Sequence, residues 1–451
     1  MNHPYLPLTD QDREEMLQAL GLRSVSELFE ELLPPEVRLN RPLQLPPRLS
    51  EWEVQKKVEA LAGQNQIDWI LFMGAGAYDH YIPAVIHHIA SRSEFYTAYT
   101  PYQAEVSQGT LQVMYEFQSL VCDLTEMEVA NSSMYDGASA LAEAVLMALR
   151  IQKKRNVVLL PESLHPFYRQ VVETYVHRQD LQLQTLRMDP KTGQLDLNHV
   201  ESLLGDHTAA LVFQHPNFFG ILEDPRILRQ LTEKVGALLI QVFDPISLGI
   251  LEPPGALGVD IAVAEGQPLG IPLGFGGPYL GLLATRQAYV RQMPGRLAGM
   301  TRDLEGRRGF VMVLQTREQH IRREKATSNI CTNQMLCALM ATAYLSLMGK
   351  EGIREVAYQS LAKAHYFSER LSQIPAVRLR FTGPFFREFV ISLSHPEPDQ
   401  VYSRLQERKI LFGVPLARFQ GPAHDFLIAV TEKRTREEMD TVVEALQELV
   451  G

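Results

Sequence analysis

The sequence predicts an α/β fold with a mainly parallel central sheet, a smaller C-terminal α/β part and an N-terminal arm. Three observations support this prediction. Between about residues 131 and 284, short apolar runs alternate with helical patterns, as in strands joined by crossover helices. After about residue 345 the chain changes to a shorter pattern of strands and helices, and the first 50 residues carry helix-capping signals and many prolines.

Residues 1–60 are expected to form the arm. Thr9 is a candidate N-cap, and Ser24 and Ser50 each begin a capping box that leads into a helical pattern. The prolines between residues 34 and 47 hold the connection extended, because proline fixes φ and cannot donate a backbone hydrogen bond. We expect such an arm to pack on a neighbouring chain in an oligomer. A loosely ordered tail is the alternative.

Residues 61–344 are expected to form the large domain. Four apolar runs are predicted as buried strands: residues 157–160, 209–213, 237–243 and 261–264. Helices are predicted at residues 138–149 and 227–235, and another is expected to open at Gln108. Parallel strands need such crossover helices, so this order predicts a sheet whose strands run mainly in one direction.

Residues 345–451 are expected to form the small C-terminal domain. Strands are predicted at residues 385–393 and 426–431, with a helix between them at residues 399–409. A capping box from Thr435 to Glu438 is expected to start a final helix that ends near Leu449.

Composition excludes several classes of protein. The 451 residues are 45% apolar and 21% charged, which is typical of a folded globular protein. The net charge of −10 argues against a protein that binds nucleic acid by neutralising phosphates, and no apolar run reaches membrane-spanning length. Three cysteines without a CxxC pair suit a reducing, cytoplasmic location and argue against a metal site. We expect Cys331 to be a buried thiol.

The run at residues 261–264 ends in the turn Glu265-Gly266-Gln267, followed by a connector rich in glycine and proline. No lysine occurs between Lys234 and Lys325. The absence matters for covalent chemistry, because an amine can condense with a carbonyl group and the amide of glutamine cannot.

Two helix and strand termini carry polar residues that suit ligand binding. Asp136 and Gly137 stand at the start of the predicted helix at residues 138–149, where free N–H groups form a general anion site. Asp244 follows the predicted strand at residues 237–243. Each feature also has a purely structural interpretation, with Asp136 as a helix cap and Asp244 as a polar strand end.

Two further segments combine aromatic and short polar side chains. The first, residues 98–109, contains Tyr99, Thr100, Tyr102 and Gln103, whose rings and polar tips suit the lining of a ligand pocket. The second, residues 316–332, is basic at first and ends in short polar residues that include Asn329 and Thr332. Core packing of the aromatics and a solvated basic helix face are the alternatives.

Motifs spread along the chain resemble those of the glycine-cleavage P-proteins. They lie at residues 96–103, 244–249, 271–272, 276–278, 294–296, 316–332 and 385–389. The resemblance extends from about Glu51 to Glu448 and is to the N-terminal half of the family, which some bacteria make as a separate subunit. It implies the fold of the fold-type-I PLP-dependent transferases. The family's catalytic half has a histidine and the cofactor-binding lysine where this chain has Gly266 and Gln267.

The resemblance also implies an activity and partners. A lysine-bearing second subunit would hold pyridoxal phosphate covalently, in an α2β2 complex that decarboxylates glycine and transfers the aminomethyl group to the lipoyl arm of the H-protein. That enzyme is an oxidoreductase acting on CH–NH2 with a disulfide acceptor, and this chain is not expected to be active alone. The basic segment from Arg317 to Lys325 would attract an acidic H-protein.

Two sets of residues follow from the resemblance, and no metal is expected. Residues lining the partner's active site would be Tyr99, Thr100, Tyr102, Gln103, Asn329 and Thr332. A degenerate cofactor site in this chain would contain Asp136, Gly137, Asp244 and Gln267. Two alternatives stay open, namely a regulatory or stabilising partner without a catalytic part and an enzyme in its own right that uses another lysine such as Lys325.

Overall fold

The computed structural model describes Tyr5 and residues 7–39, 41–395 and 397–450. The chain divides into two compact units, Met1–Ile67 and Asp68–Gly451. Within the described residues, none of the helices is both long and apolar enough to cross a membrane.

The first unit contains three helices: α1 (Asp10–Leu20), α2 (Val25–Leu32) and α3 (Glu51–Ala62). The predicted caps are present, since Thr9 and Ser50 form capping boxes and the Ser24 side chain accepts a hydrogen bond from Glu27 N. None of the three helices contains a buried residue. Phe29 and Leu32 of α2 are 55% and 66% exposed. The apolar side chains of this unit are therefore available to a neighbour, as the sequence predicts.

The second unit contains the remaining elements. Its helices are α4 (Ala84–Ala90), α5 (Ser93–Tyr96), α6 (Gln108–Thr125), α7 (Gly137–Ile151), α8 (Pro166–Val176), α9 (Leu197–Leu203), α10 (Pro225–Val235), α11 (Gln319–Arg322), α12 (Met335–Ser372), α13 (Pro398–Glu407) and α14 (Arg436–Val450). Its strands are β1 (Ile70–Leu71), β2 (Val129–Ala130), β3 (Val157–Pro161), β4 (Gln182–Leu186), β5 (Thr208–His215), β6 (Leu238–Phe243), β7 (Ile261–Glu265), β8 (Gly281–Thr285), β9 (Leu297–Arg302), β10 (Arg308–Val313), β11 (Val377–Leu379), β12 (Glu388–Leu393), β13 (Ile410–Leu411), β14 (Val414–Pro415) and β15 (Asp425–Ala429).

A seven-stranded sheet forms the centre of this unit, in the order β2-β8-β7-β6-β5-β3-β4. The neighbours from β7 to β4 are parallel, and β8 is antiparallel to both β2 and β7. Strands β3, β6 and β8 are buried along their whole length, with apolar clusters on the two sides of the sheet. All four predicted buried strands are present, which confirms the predicted α/β fold with a mainly parallel sheet.

Smaller sheets complete the unit. One has the order β11-β12-β15-β14 and is antiparallel, while β9 and β10 form a hairpin and β1 pairs with β13. The strand predicted at residues 385–393 begins only at Glu388, because residues 385 and 386 form a turn whose backbone contacts the segment around Gly220. The domain boundary at residue 345 stays a prediction. It falls within α12, whose helical geometry is interrupted at Gly349 (φ 57°).

Candidate functional site

The carboxyl ends of β6 and β7 and the start of α7 meet at one edge of the central sheet. Asp244 follows β6, Glu265 is the last residue of β7, and α7 begins at Gly137. In open α/β sheets, ligands bind in the crevice outside the carboxyl ends of the strands. We call the group Asp244, Glu265, Gln267, Arg387 and Glu388 the strand-end site.

A carboxylate from the chain itself occupies the start of α7. Glu265 Oε2 accepts a hydrogen bond from Gly137 N at 3.0 Å, and its Oε1 accepts from Gln267 N and Leu280 N, each at 3.0 Å. Asp136 caps the same helix through Ser139 N at 2.7 Å. Burial raises the pKa of Glu265 to about 7, although the three backbone donors favour the charged form. The N–H group that could bind an external anion therefore already has an internal acceptor.

Gln267, at the position of the family's lysine, is a structural amide. Its side chain is buried, and it accepts from Tyr78 N at 2.9 Å. Its amide nitrogen donates to Tyr78 O at 3.1 Å and to Ile271 O at 2.8 Å. Both ends of the amide are thus satisfied by backbone groups, and the residue holds the segment around Tyr78 against the turn after β7.

Asp244 is paired with a buried arginine. Arg387 Nη2 lies 2.6 Å from Asp244 Oδ2, and the guanidinium stacks on the Tyr78 ring at 3.6 Å from its centroid. Burial alone lowers the pKa of Arg387, but the carboxylate of Asp244 outweighs this effect and raises it. Arg387 Nη1 also contacts His80 Nε2, and His80 Nδ1 lies 2.6 Å from Glu432 Oε2. The charge of Asp244 is therefore neutralised within the chain.

Glu388, next to this arginine, is also satisfied internally. Its Oε1 accepts from Ala75 N at 2.8 Å, and its Oε2 accepts from the Tyr78 hydroxyl at 2.7 Å. Burial raises the pKa of Glu388 to about 7, and burial with the Glu388 charge raises that of Tyr78.

These residues do not fit pyridoxal phosphate. The cavity between them has a volume of about 50 Å³, below the roughly 300–1,000 Å³ typical of ligand pockets. A phosphate at the start of α7 would meet the carboxylate of Glu265, and the lysine position holds an amide whose hydrogen bonds are all used. Within the described residues, no group of three or more His, Cys, Asp or Glu side chains is arranged to hold a metal ion.

A second polar group lies where two loops meet beside the hairpin of β9 and β10. The side chain of Arg296, just before β9, is only 2% exposed. It donates to Thr100 Oγ1 at 3.3 Å, to the Tyr102 hydroxyl at 3.2 Å and to Thr332 Oγ1 at 3.5 Å. Its Nε lies 3.7 Å from Glu318 Oε2. We call these five residues the Arg296 cluster.

A family comparison bears on both sites. The sequence profile described as "Glycine cleavage system P-protein" matches residues 3–446. The chain belongs to the P-protein family. The resemblance identified from the sequence motifs is thereby confirmed.

Curated relatives agree with this assignment over their full length. The chain is 52% identical over 449 residues to a protein of Chlorobium limicola, with 99% of this chain and 100% of the relative covered. It is 52% identical over 445 residues to one of Carboxydothermus hydrogenoformans, with 98% and 99% covered. Both relatives are named probable glycine dehydrogenase (decarboxylating) subunit 1.

Solved structures show the same fold. A glycine decarboxylase (P-protein) of the glycine cleavage system in inhibitor-bound form superposes with a TM-score of 0.90 at 45% identity, with 99% of this chain and 100% of that chain covered. A sphingosine-1-phosphate lyase of Burkholderia pseudomallei superposes with a TM-score of 0.67 at 16% identity, with 93% and 94% covered. The predicted fold of the fold-type-I PLP-dependent transferases is confirmed.

The structure brings together part of each set of residues predicted for a P-protein subunit. Thr100, Tyr102 and Thr332 converge on Arg296, whereas Tyr99 is 84% exposed and Gln103 and Asn329 are exposed without a side-chain hydrogen bond in the described chain. The members of the degenerate site, Asp136, Gly137, Asp244 and Gln267, surround one sheet edge. The roles assigned to these residues stay predictions.

Two expectations about individual residues need correction or refinement. Cys331 was expected to be buried, but it is exposed, because it lies in the loop over Arg296 with its backbone facing inward. Arg317 of the basic segment is buried and donates to the carbonyl groups of Met293 and Gly295. It is therefore a structural residue, and the exposed charges of the segment are those that follow it.

Sequence reasoning missed the charged residues that complete both sites. Arg296 and Arg387 lie in motifs that the family resemblance marks, at residues 294–296 and 385–389, but nothing local distinguishes them from surface arginines. Glu265 was recognised only as part of a turn. A carboxylate directly after a buried strand, beside a predicted helix start, is the signal that could have identified it.

Proposed function

We propose that this chain forms, with a lysine-bearing second subunit, the active site of a glycine dehydrogenase (decarboxylating) of the glycine cleavage system. The observation that carries the proposal is the contrast between its two sites. The strand-end site is filled by the chain's own side chains, whereas the loops of the Arg296 cluster present hydroxyl groups at the surface. The relatives named subunit 1 support a partner subunit.

In this proposal the chain lines and stabilises the partner's site. Pyridoxal phosphate, held by the lysine of the second subunit, supplies the electron sink for loss of CO2 from glycine. Tyr99, Thr100, Tyr102 and Thr332 orient polar groups in that site and, with Gln103 and Asn329, exclude water from it. Excluding water strengthens each electrostatic contact there.

The rest of the assembly follows the family. The complex is an α2β2 tetramer in the cytoplasm, and the lipoyl arm of the H-protein accepts the aminomethyl group in an oxidoreductase reaction with a disulfide acceptor. The chain alone is inactive. Its exposed basic residues after Arg317, which include Arg322 and Lys325, attract an acidic H-protein.

A labelling experiment tests the division of labour. The chain is purified alone and with its lysine-bearing partner, incubated with pyridoxal phosphate and reduced with borohydride, and pyridoxyl-lysine is located by mass spectrometry. We expect the label only on the partner, and glycine-dependent exchange of CO2 only when both chains are present. A label on this chain, for example at Lys325, together with reaction of glycine, would contradict the proposal.

Substitutions in the assembled complex test the lining role. Tyr102→Phe and Thr332→Val remove hydroxyl groups with little change of shape, and Thr332→Ser retains the hydroxyl as a control. We expect CO2 exchange to fall about tenfold for the first two, since a lost hydrogen bond to a charged group costs about 1.5–3 kcal/mol. Unchanged exchange in a fully assembled complex would favour a stabilising partner without a catalytic part.

A further inference from the structure

The direction of the hydrogen bonds around Arg296 determines where three hydroxyl protons point. A guanidinium only donates hydrogen bonds, so Thr100, Tyr102 and Thr332 act as acceptors towards it. Within the part of the chain that the structure describes, none of these hydroxyls donates to an acceptor. Each O–H is therefore free to donate away from Arg296.

Exposure shows that these donors face outwards. The Tyr102 side chain is 54% exposed, and Thr100 and Thr332 are half-buried, while the arginine beneath them is almost fully buried. A cation behind a hydroxyl withdraws electron density from its oxygen and strengthens the hydroxyl as a donor, since hydrogen bonds polarise one another in chains. The cluster thus presents three strengthened donors at the surface.

The environment of Arg296 holds its guanidinium in this orientation. Glu318, itself 6% exposed, lies on the Nε side, and Nη2 also donates to the backbone carbonyl of Cys331. The Tyr102 ring lies 5.5 Å from the guanidinium carbon, and its other side meets the edge of the His320 ring at 5.7 Å. Arg296 Nε makes no hydrogen bond within the described residues, which leaves it as an unsatisfied buried donor.

We propose that Arg296 is a positioning residue that fixes Thr100, Tyr102 and Thr332 as a three-hydroxyl site for an oxyanion in the partner's active site. The inference rests on the proposed function, because the oxyanion belongs to a ligand that the second subunit holds. Carboxylate and phosphate groups share the required chemistry, namely several acceptor oxygens on a small charged group. The carboxylate of glycine and the phosphate of the cofactor are the two sources to distinguish.

The test uses the assembled two-subunit complex and three variants of this chain. Arg296→Gln removes the charge, Arg296→Lys keeps the charge but loses the planar fork, and Arg302→Gln changes an exposed arginine of the same hairpin as a control. The KM for glycine, the kcat and the dissociation constant of pyridoxal phosphate are measured for each. We expect Arg296→Gln to weaken one of the two ligands about tenfold or more, Arg296→Lys to weaken it less, and Arg302→Gln to have no effect.

The pattern identifies the oxyanion. A raised KM for glycine with unchanged cofactor binding assigns the site to the substrate carboxylate, and weakened cofactor binding assigns it to the phosphate. If Arg296→Gln prevents assembly, the double variant Thr100→Val/Thr332→Val, which keeps the arginine, is expected to give the same ligand-specific loss. Constants within twofold of the parent complex in an assembled variant would overturn the inference.

The outcome also separates this inference from the proposed function. If CO2 exchange needs this chain and responds to Tyr102→Phe, but the Arg296 variants leave both constants unchanged, the positioning role is wrong and the proposed function stands. If exchange does not need this chain, the proposed function fails, and the oxyanion site fails with it.

Discussion

The strand-end site and the Arg296 cluster are built from the same kinds of groups but use them differently. Each has a buried arginine beside a tyrosine ring and a carboxylate. In the strand-end site, Arg387 is paired with Asp244 at 2.6 Å, and Glu388 and Gln267 are bonded to the surrounding chain. In the Arg296 cluster, the arginine holds hydroxyl groups whose own protons have no acceptor within the described chain.

The comparison shows what separates a structural polar group from a group that awaits a ligand. Buried polar groups are almost always paired, and the strand-end site obtains its pairs within one chain. Substitutions there should therefore change the stability of the chain itself. Substitutions of the outward hydroxyls should leave its stability unchanged and alter only the assembled complex.

The largest expected effect on stability is that of Arg387→Ala. Removing one partner of a buried ion pair leaves an uncompensated charge on Asp244, at a cost of about 3–5 kcal/mol. The free energy of unfolding of the purified chain in urea measures this loss. Arg408→Ala, which breaks an exposed pair with Glu448, is the control and should cost less than about 1 kcal/mol. Equal losses in the two variants would contradict the assignment of a buried pair.

A pH dependence should follow from Glu388, which faces Tyr78, Arg387 and Asp244. Its pKa is raised from 4.5 to about 7, so the folded chain keeps a proton that the unfolded chain releases. Stability from this group is complete below about pH 4.5 and is lost as pH rises to 7, by up to about 1.4 kcal/mol per unit. Urea unfolding from pH 5 to 8 should therefore show the parent chain losing stability relative to Glu388→Gln. Parallel curves would rule this out.

Close packing at the start of α7 should make Gly137→Ala destabilising. A Cβ at Gly137 would lie 2.2 Å from the Tyr168 hydroxyl and 2.8 Å from Glu265 N. Such overpacking costs about 1–3 kcal/mol. Gly109→Ala in α6 is the matched control, because nothing lies within 4 Å of its Cβ position and alanine favours helix. Thermal unfolding should give a lower midpoint for the first variant only.

The smallest effect on stability is expected in the open cluster. Thr332→Val removes one long hydrogen bond to Arg296 at a half-buried position, so the free energy of unfolding should change by less than about 1 kcal/mol. Urea unfolding of the isolated chain provides the measurement. A larger loss would mean that the hydroxyl is part of the chain's own structure, as in the strand-end site.

The sequence predicted the buried strands well because a strand covered on both faces is a continuous apolar run. Strands β3, β5, β6 and β7 are of this kind, whereas the partly exposed β4 and the hairpin of β9 and β10 lack such runs and were not predicted. The cap at Asp136 was also predictable, since it depends on residues within one helical turn.

The partners within the two sites could not be predicted in the same way. Asp244 meets Arg387, Gly137 meets Glu265, and Arg296 meets Thr100, so each pair joins residues more than 100 positions apart. Local periodicity shows that a segment is buried, but not which distant charge compensates it. Only the folded sheet, which places the ends of β6 and β7 beside the start of α7, determines these pairs.

The carboxylate of Glu265 at the start of α7 makes the loss of the ancestral site hard to reverse. Restoring a lysine at position 267 would still leave an internal anion in the phosphate position, and removing that anion alone would strip three backbone N–H groups of their acceptor. Each single step back therefore costs stability before any cofactor can bind to repay it. A subunit in this condition depends permanently on its partner, and the two chains are bound to evolve as one enzyme.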